Sequence, residues 1–190
     1  TGGGHTLTIG SGQTVRGAGW IGQGDLSIVN QGTVIAEGGS PLYLSTTGFD
    51  NTGGRLEVAA DGQLSSFGTI TLGDASQLVF DLTGSFAQHG QLHLGDGAHF
   101  DGTLTLNFSG YTAQVGDSFT LVDFSGTASG SFDAVLAAGY TLEAHYNLND
   151  VTVTVTGVSA VPEPASYALF AGGLLAMGWL RRRRAASTHR

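Results

Sequence analysis

Asn30-Gln31-Gly32-Thr33-Val34 and Asn51-Thr52-Gly53-Gly54-Arg55-Leu56 decide the fold. The asparagines stand at a spacing of 21, and each leads through glycine into a short stretch of strand-forming residues. Ser66-Phe67-Gly68-Thr69-Ile70 repeats the glycine and the following strand without the asparagine. A period of about 20 residues with one aliphatic face fits one coil of a β-solenoid, in which each coil buries its face on the next. Asparagines stacked at successive turns are expected to bridge the coils by pairing backbone groups there. An irregular glycine-rich β-sandwich is the competing architecture.

Outward from these turns the chain alternates in period two. His5-Thr6-Leu7-Thr8-Ile9, Gly68-Thr69-Ile70-Thr71-Leu72, Gly102-Thr103-Leu104-Thr105-Leu106 and Asp150-Val151-Thr152-Val153-Thr154-Val155 are clear examples. Such runs place aliphatic side chains on one face and Thr, Ser or His on the other. Glycine-rich turns such as Gly10-Ser11-Gly12 and Gly95-Asp96-Gly97 separate them, and 32 glycines with almost no helical period read as all-β. From Leu92 onward the strands lengthen and gather aromatics, among them Phe108, Tyr111, Phe119, Phe124, Phe132, Tyr140 and Tyr146. By pattern this segment resembles the last coils of bacterial surface β-helices, including autotransporter passengers. That resemblance implies a hydrophobic cap over otherwise unpaired strand edges.

Charge divides the chain. Residues 1–160 contain no lysine and two arginines, Arg16 and Arg55, against fourteen acidic residues, for about −12 by simple counting. A body without a basic footprint is not built to neutralise nucleic-acid phosphates. There is no cysteine, so disulfides, thiolate chemistry and Cys-ligated zinc are ruled out. The chain opens at Thr1-Gly2-Gly3-Gly4 with no basic and apolar leader, so we expect it to be the C-terminal part of a longer protein or one already cut.

The last thirty residues carry a different signal. Val161-Pro162-Glu163-Pro164-Ala165-Ser166 precedes sixteen uncharged residues at 165–180 and then Arg181-Arg182-Arg183-Arg184. The prolines hold the motif extended. As a helix the apolar run reaches roughly 24 Å, short of a hydrocarbon core of about 30 Å, a gap that snorkelling arginines reduce. The arginine cluster fixes that end on the cytoplasmic side. This order closely resembles the PEP-CTERM sorting signal of Gram-negative bacteria. The resemblance implies export across the inner membrane and recognition by an exosortase, a membrane-embedded cysteine transpeptidase. It further implies removal of the tail and delivery to the cell surface or exopolysaccharide matrix. Val161, Pro162, Glu163 and Pro164 form the sorting motif in this reading, and Arg181, Arg182, Arg183 and Arg184 the cytoplasmic stop. A plain C-terminal membrane anchor is the alternative.

Candidate chemistry in the body is sparse. A polysaccharide lyase needs a basic group for its uronate, which leaves Arg16 and Arg55, both in glycine-rich turn settings. A hydrolase needs two carboxylates about 5 to 9.5 Å apart, for which Asp96 and Asp101 are the candidates; Asp before Gly is otherwise simple turn chemistry. His89, His93 and His99 are weighed as metal ligands against exposed polar residues alternating with leucines. Acidic groups facing an extracellular medium admit diffuse calcium binding, without any calcium-loop motif. Trp20 and Tyr43 would serve a carbohydrate-binding face if exposed, but partial burial in the solenoid wall is the favoured reading.

The expected fold is therefore all-β. A right-handed β-solenoid (β-helix) spans 1–90, a β-rich C-terminal cap of the same body 91–156, a linker 157–160 and the sorting signal 161–190. Within the signal a single transmembrane helix spans 165–180. The expected function is a non-enzymatic surface or matrix protein associated with exopolysaccharide or biofilm. An exosortase and the inner membrane are its partners, and no cofactor, metal or nucleic acid is needed. An adhesin or carbohydrate-binding module is the alternative, and a β-helix lyase or hydrolase is a lesser one.

Overall fold

Alternating sequence becomes stacked coils. The computed structural model of the chain describes residues 4–83 and 89–159. Each coil contributes three short strands, one to each of three sheets. The first coil holds β1 (His5–Ile9), β2 (Thr14–Gly17) and β3 (Gly19–Ile21). The second holds β4 (Leu26–Asn30), β5 (Thr33–Ala36) and β6 (Pro41–Leu44), and the third β7 (Gly48–Asp50), β8 (Arg55–Val58) and β9 (Gln63–Ser66). β10 (Thr69–Thr71), β11 (Gln77–Leu82) and β12 (Gln91–Leu94) follow, then β13 (Ala98–Phe100), β14 (Thr103–Phe108) and β15 (Ser118–Phe124). β16 (Ala128–Gly130) and β17 (Ala134–Leu136) begin another coil, and β18 (Tyr140–Tyr146) and β19 (Asp150–Val158) close the body.

The sheets run β1-β4-β7-β10-β13-β16, β17-β14-β11-β8-β5-β2 and β18-β19-β15-β12-β9-β6-β3. Every pairing up to β17 is parallel, the pattern of a β-solenoid. Register is kept from coil to coil, so like stacks on like. Ile28, Phe49 and Ile70 form one inward column, and Val34, Leu56, Leu78 and Leu104 another, all at most 1% exposed. Fully burying such a side chain is worth about 1.5–3 kcal/mol, and a solenoid collects that at each coil interface.

The asparagines form the expected bridge. Asn30 and Asn51 are fully buried, and Asn30 Nδ2 donates to Asn51 Oδ1 at 2.6 Å and to the Arg55 carbonyl at 3.0 Å. Asn51 Nδ2 donates to the Gly54 carbonyl, and Asn30 Oδ1 accepts from the Gly32 amide. One coil further, Ser76 takes over, its hydroxyl donating to the Asn51 carbonyl at 2.7 Å. Glycine is required beside this ladder. A Cβ on Gly54 would lie 2.4 Å from the Asn30 carbonyl oxygen and 2.8 Å from Asn51 Oδ1.

Two expectations are corrected here. Arg16 lies within β2 and Arg55 opens β8, so neither is a turn residue. The third repeat, Ser66 to Ile70, is out of phase with the other two. It leads into β10, which pairs with β7 (Thr69↔Gly48), whereas Asn30 and Asn51 lead into β5 and β8. The cause is that different corners of the coil use glycine followed by Thr and an aliphatic residue.

Parallel strand pairing continues beyond residue 91, through β15 to β17; apart from the isolated bridges Leu82↔His89 and Ala137↔Tyr140, antiparallel pairing comes where β19 joins β15 and folds back on β18. Aromatic rings fill this end. Phe108 packs on Phe119 and Tyr140 with centroids 5.7 and 4.9 Å away, and Phe100 on Phe132 and Tyr146 at 5.4 and 6.0 Å. The Tyr146 hydroxyl accepts from the Phe132 amide at 2.7 Å. All these elements belong to one compact unit, Thr1–Ser159.

The turn entering β15 holds a pH-dependent clasp. The Asp117 carboxylate accepts from the Tyr111 hydroxyl at 2.5 Å and from the Gln114 amide at 2.8 Å. These bonds favour the charged form and hold Asp117 below the usual carboxylate range. A carboxyl whose folded pKa lies below its unfolded value of about 3.9 adds stability above that value and loses it as pH falls through the folded one. Asp117→Asn is therefore expected to lower the melting temperature near neutrality and to flatten its decline in acid. Parallel acid profiles for the parent and the variant would contradict the clasp.

Candidate functional site

The outward row of the third sheet differs from the other two. Parity along β6 turns Leu42 and Leu44 inward and Tyr43 outward. Coil register then sets Trp20 on Tyr43, Tyr43 on Ser65, Ser65 on His93 and His93 on Asp123. Ser65 leaves room in this row for a ring. Phe67, one position beyond β9 and of the same parity, joins the aromatic group there.

Trp20, Tyr43 and Phe67 lie within 24° of parallel. Their centroids are 4.4 Å (Trp20–Tyr43), 5.8 Å (Trp20–Phe67) and 6.0 Å (Tyr43–Phe67) apart. Two coil steps would separate rings by roughly 9.6 Å. Trp20 and Phe67 therefore lean toward each other, and the three rings form a compact stack rather than a straight column. Trp20 remains 64% exposed and Phe67 55%. Partial burial in the wall holds for Tyr43 and is corrected for Trp20, because no side chain of a preceding coil covers it among the described residues. Each aromatic ring carries on the order of 150–250 Å² of largely apolar surface, which is costly to leave in water without a use.

Polar groups flank the stack on both sides. A depression of about 650 Å³ is bordered by Trp20, Gly22, Gln23, Asp25 and Ser45. A smaller one of about 230 Å³ is bordered by Tyr43, Ser65, Phe67, His93 and Asp123. His93 Nδ1 lies 2.5 Å from Asp123 Oδ2. An ionised carboxylate only accepts, so Nδ1 carries the hydrogen and Nε2 is left for another partner.

The remaining candidates are dispersed. Arg16 makes a two-pronged pair with Glu37 (Nε to Oε1 and Nη2 to Oε2, both 2.7 Å), and Arg55 donates through Nε and Nη2 to Glu57 Oε2 at 2.9 and 2.6 Å. The pairing holds Glu37 below the usual carboxylate range. Both arginines lie on the sheet of β2, β5 and β8, away from the aromatic row. Asp96 accepts from the Thr69 hydroxyl at 3.2 Å, and Asp101 accepts from the Gly102 amide at 2.8 Å as part of its turn. His89 Nδ1 lies 2.9 Å from the Gly90 carbonyl, and His99 Nδ1 lies 3.1 Å from the Ser129 hydroxyl on the sheet of β13. The three histidines are not brought together. Among the described residues no group of three or more His, Asp or Glu side chains is placed to hold a metal ion.

Phe67 and the His93–Asp123 pair escape a reading of the sequence alone. One signal is there to be read: Trp20, Tyr43 and Phe67 recur at intervals close to the coil period.

Comparison with known families matches residues 160–184 to the PEP-CTERM protein-sorting motif. No curated protein matches the chain. Val161, Pro162, Glu163, Pro164, the expected helix at 165–180 and the arginines at 181–184 all lie outside the described residues. Among those that are described, no helix is long and apolar enough to cross a membrane.

Proposed function

We propose that the chain is an exported, non-enzymatic surface or matrix protein whose tail is read and removed by an exosortase. The match of residues 160–184 to the sorting motif carries this reading. It implies an exosortase as processing partner and passage through the secretion machinery. In this reading 165–180 crosses the inner membrane for a time, and Arg181, Arg182, Arg183 and Arg184 hold its end in the cytoplasm. The body suits exposure outside the cell. It has no cysteine to oxidise, it is acidic enough to stay dispersed, and its backbone is paired coil to coil. Association with exopolysaccharide or biofilm is the role we assign to it there.

A second reading, a carbohydrate-binding module or adhesin, is favoured by one observation: the exposed stack of Trp20, Tyr43 and Phe67. A lyase or hydrolase has less support. Arg16 and Arg55 are engaged with glutamates, and Asp96 and Asp101 with a threonine and a turn.

Intact mass of the protein from fractionated producing cells tests the sorting reading. The expected species ends near residues 160–166 and lies outside the inner membrane. Full-length chain held in the inner membrane would mean a permanent anchor and would overturn processing.

A further inference from the structure

We infer that the outward row of the third sheet is a binding platform for a neutral, hydroxyl-rich glycan. Trp20, Tyr43 and Phe67 are its apolar centre, and Gln23 and the His93–Asp123 pair are its polar ends. This deepens the carbohydrate-binding reading above by naming its ligand class, and rests on the exported reading for its setting.

A purely structural role does not explain where the rings are. Aromatic stacking between coils does stabilise a sheet. Yet among the described residues the other two outer faces stack their coils without an aromatic row, using contacts such as Ser27 Oγ to Thr47 Oγ1 at 3.1 Å and Asn107 Nδ2 to Asp81 Oδ1 at 2.9 Å. Coil stacking therefore does not require rings. Phe67, with described coils on both sides, remains 55% exposed even after stacking on the other two rings.

The chemistry of the surroundings selects the ligand. The C–H face of a sugar ring is weakly positive and packs on the negative face of an aromatic ring, as other positive edges do. Hydroxyls around that sugar ring need nearby donors and acceptors. Gln23 supplies both, His93 presents Nε2, and the carboxylates of Asp25 and Asp123 border the two depressions. The rows from Trp20 to His93 cover three strand steps, roughly 14 Å, which suits an oligosaccharide better than a single sugar.

Charge excludes the other large class of glycan. A uronate or sulfated polymer would meet carboxylates along this row. Arg16 and Arg55 lie on a different sheet and are paired with Glu37 and Glu57. The body's excess of acidic groups adds a general repulsion.

The test uses the full chain in mild detergent carrying Trp179→Phe, which leaves Trp20 as the sole tryptophan. Dextran, cello-oligosaccharides and mannan are the neutral probes, and polygalacturonate is the anionic one. At least one neutral probe is expected to shift Trp20 emission saturably, with an affinity little changed by roughly 0.5 M salt. Isothermal titration calorimetry, which does not depend on Trp20 emission, is expected to show binding weakened by about tenfold or more in both Trp20→Ala and Phe67→Ser, as loss of an anchoring aromatic does. Trp20→Tyr should retain most of the binding, and circular dichroism and melting temperature should stay at parent values in Phe67→Ser. Three results would each overturn the platform: no response of the folded protein to any neutral probe, binding that survives Phe67→Ser, or salt-sensitive binding of polygalacturonate that matches the neutral one. Glycan binding by a chain found unprocessed in cells would sink the sorting reading alone. A processed body that ignores every neutral probe would sink this inference and leave the sorting reading standing.

Discussion

Asn51→Leu is expected to lower the melting temperature of the body by roughly 6 °C. Asn51 is fully buried, with Oδ1 accepting from Asn30 at 2.6 Å and Nδ2 donating to the Gly54 carbonyl at 3.0 Å. Leucine removes both bonds and returns neither partner to water. Asn30 Nδ2 keeps the Arg55 carbonyl and the Gly54 carbonyl keeps the Gln77 amide, so each loses one of its two partners. Each lost hydrogen bond contributes about 0.5–1.5 kcal/mol, so the sum is about 2 kcal/mol against a total stability of about 5–15. For a domain of this size that is on the order of 2–4 °C per kcal/mol. The native chain shows why a single substitution cannot be absorbed. Leu72 follows β10 at the place where the asparagines end β4 and close β7, but that coil also has Ser76, whose hydroxyl accepts from the Gly73 amide at 2.8 Å and donates to the Asn51 carbonyl. Leucine at residue 51 arrives without such a serine, because Gly54 stands next to its strand and has no room for a side chain. Thermal unfolding with amide exchange is the check, with protection lost first between the coils of β4–β6 and β7–β9. A variant melting within about 2 °C of the parent would show that the ladder contributes little.

How much of this is legible beforehand depends on how regular each coil is. The alternation from His5 to Ile9 and the spacing of Asn30 and Asn51 announce a solenoid because the early coils keep one spacing, as in Leu7↔Ile28 and Ile28↔Phe49. Detail fails where the turns vary in length. The turn after Asn51 is one residue longer than the turn after Asn30, so Gly32 aligns with Gly54 instead of Gly53. Later coils lengthen, and His93 meets Asp123 at a separation of 30 that no fixed period indicates. The arginines mislead for a related reason. Gly17 and Gly19 after Arg16, and Gly53 and Gly54 before Arg55, suggest turns, although the arginines themselves sit on pleated backbone. Aromatic exposure at Trp20 is not legible either, because outward parity fixes a direction without saying whether another element covers it.

Tail variants should separate recognition from retention, with all-or-none effects on processing. Changing Pro162, Glu163 and Pro164 together to alanine is expected to leave export intact and to abolish cleavage, so full-length chain collects in the inner membrane. In the proposed reading the prolines, which lack amide donors and disfavour helix in the residue before them, keep the cleavage site open to the enzyme, and alanine would remove that restriction. Changing Arg181, Arg182, Arg183 and Arg184 together to alanine should fail at a different step. In the proposed reading the sixteen uncharged residues 165–180, as a helix, would reach roughly 24 Å of a hydrocarbon core of about 30 Å, so the charged end would fix depth and direction. Each arginine near the bilayer centre costs about 2.5–3.5 kcal/mol on insertion scales, and four together make translocation of that end prohibitive. Without them the short segment has little to stop it, and full-length chain should pass into soluble export fractions uncleaved. Intact mass by fraction distinguishes the two. Membrane-held full-length chain from both variants would assign the arginines to recognition, and normal processing of the proline–glutamate variant would remove the motif from the mechanism.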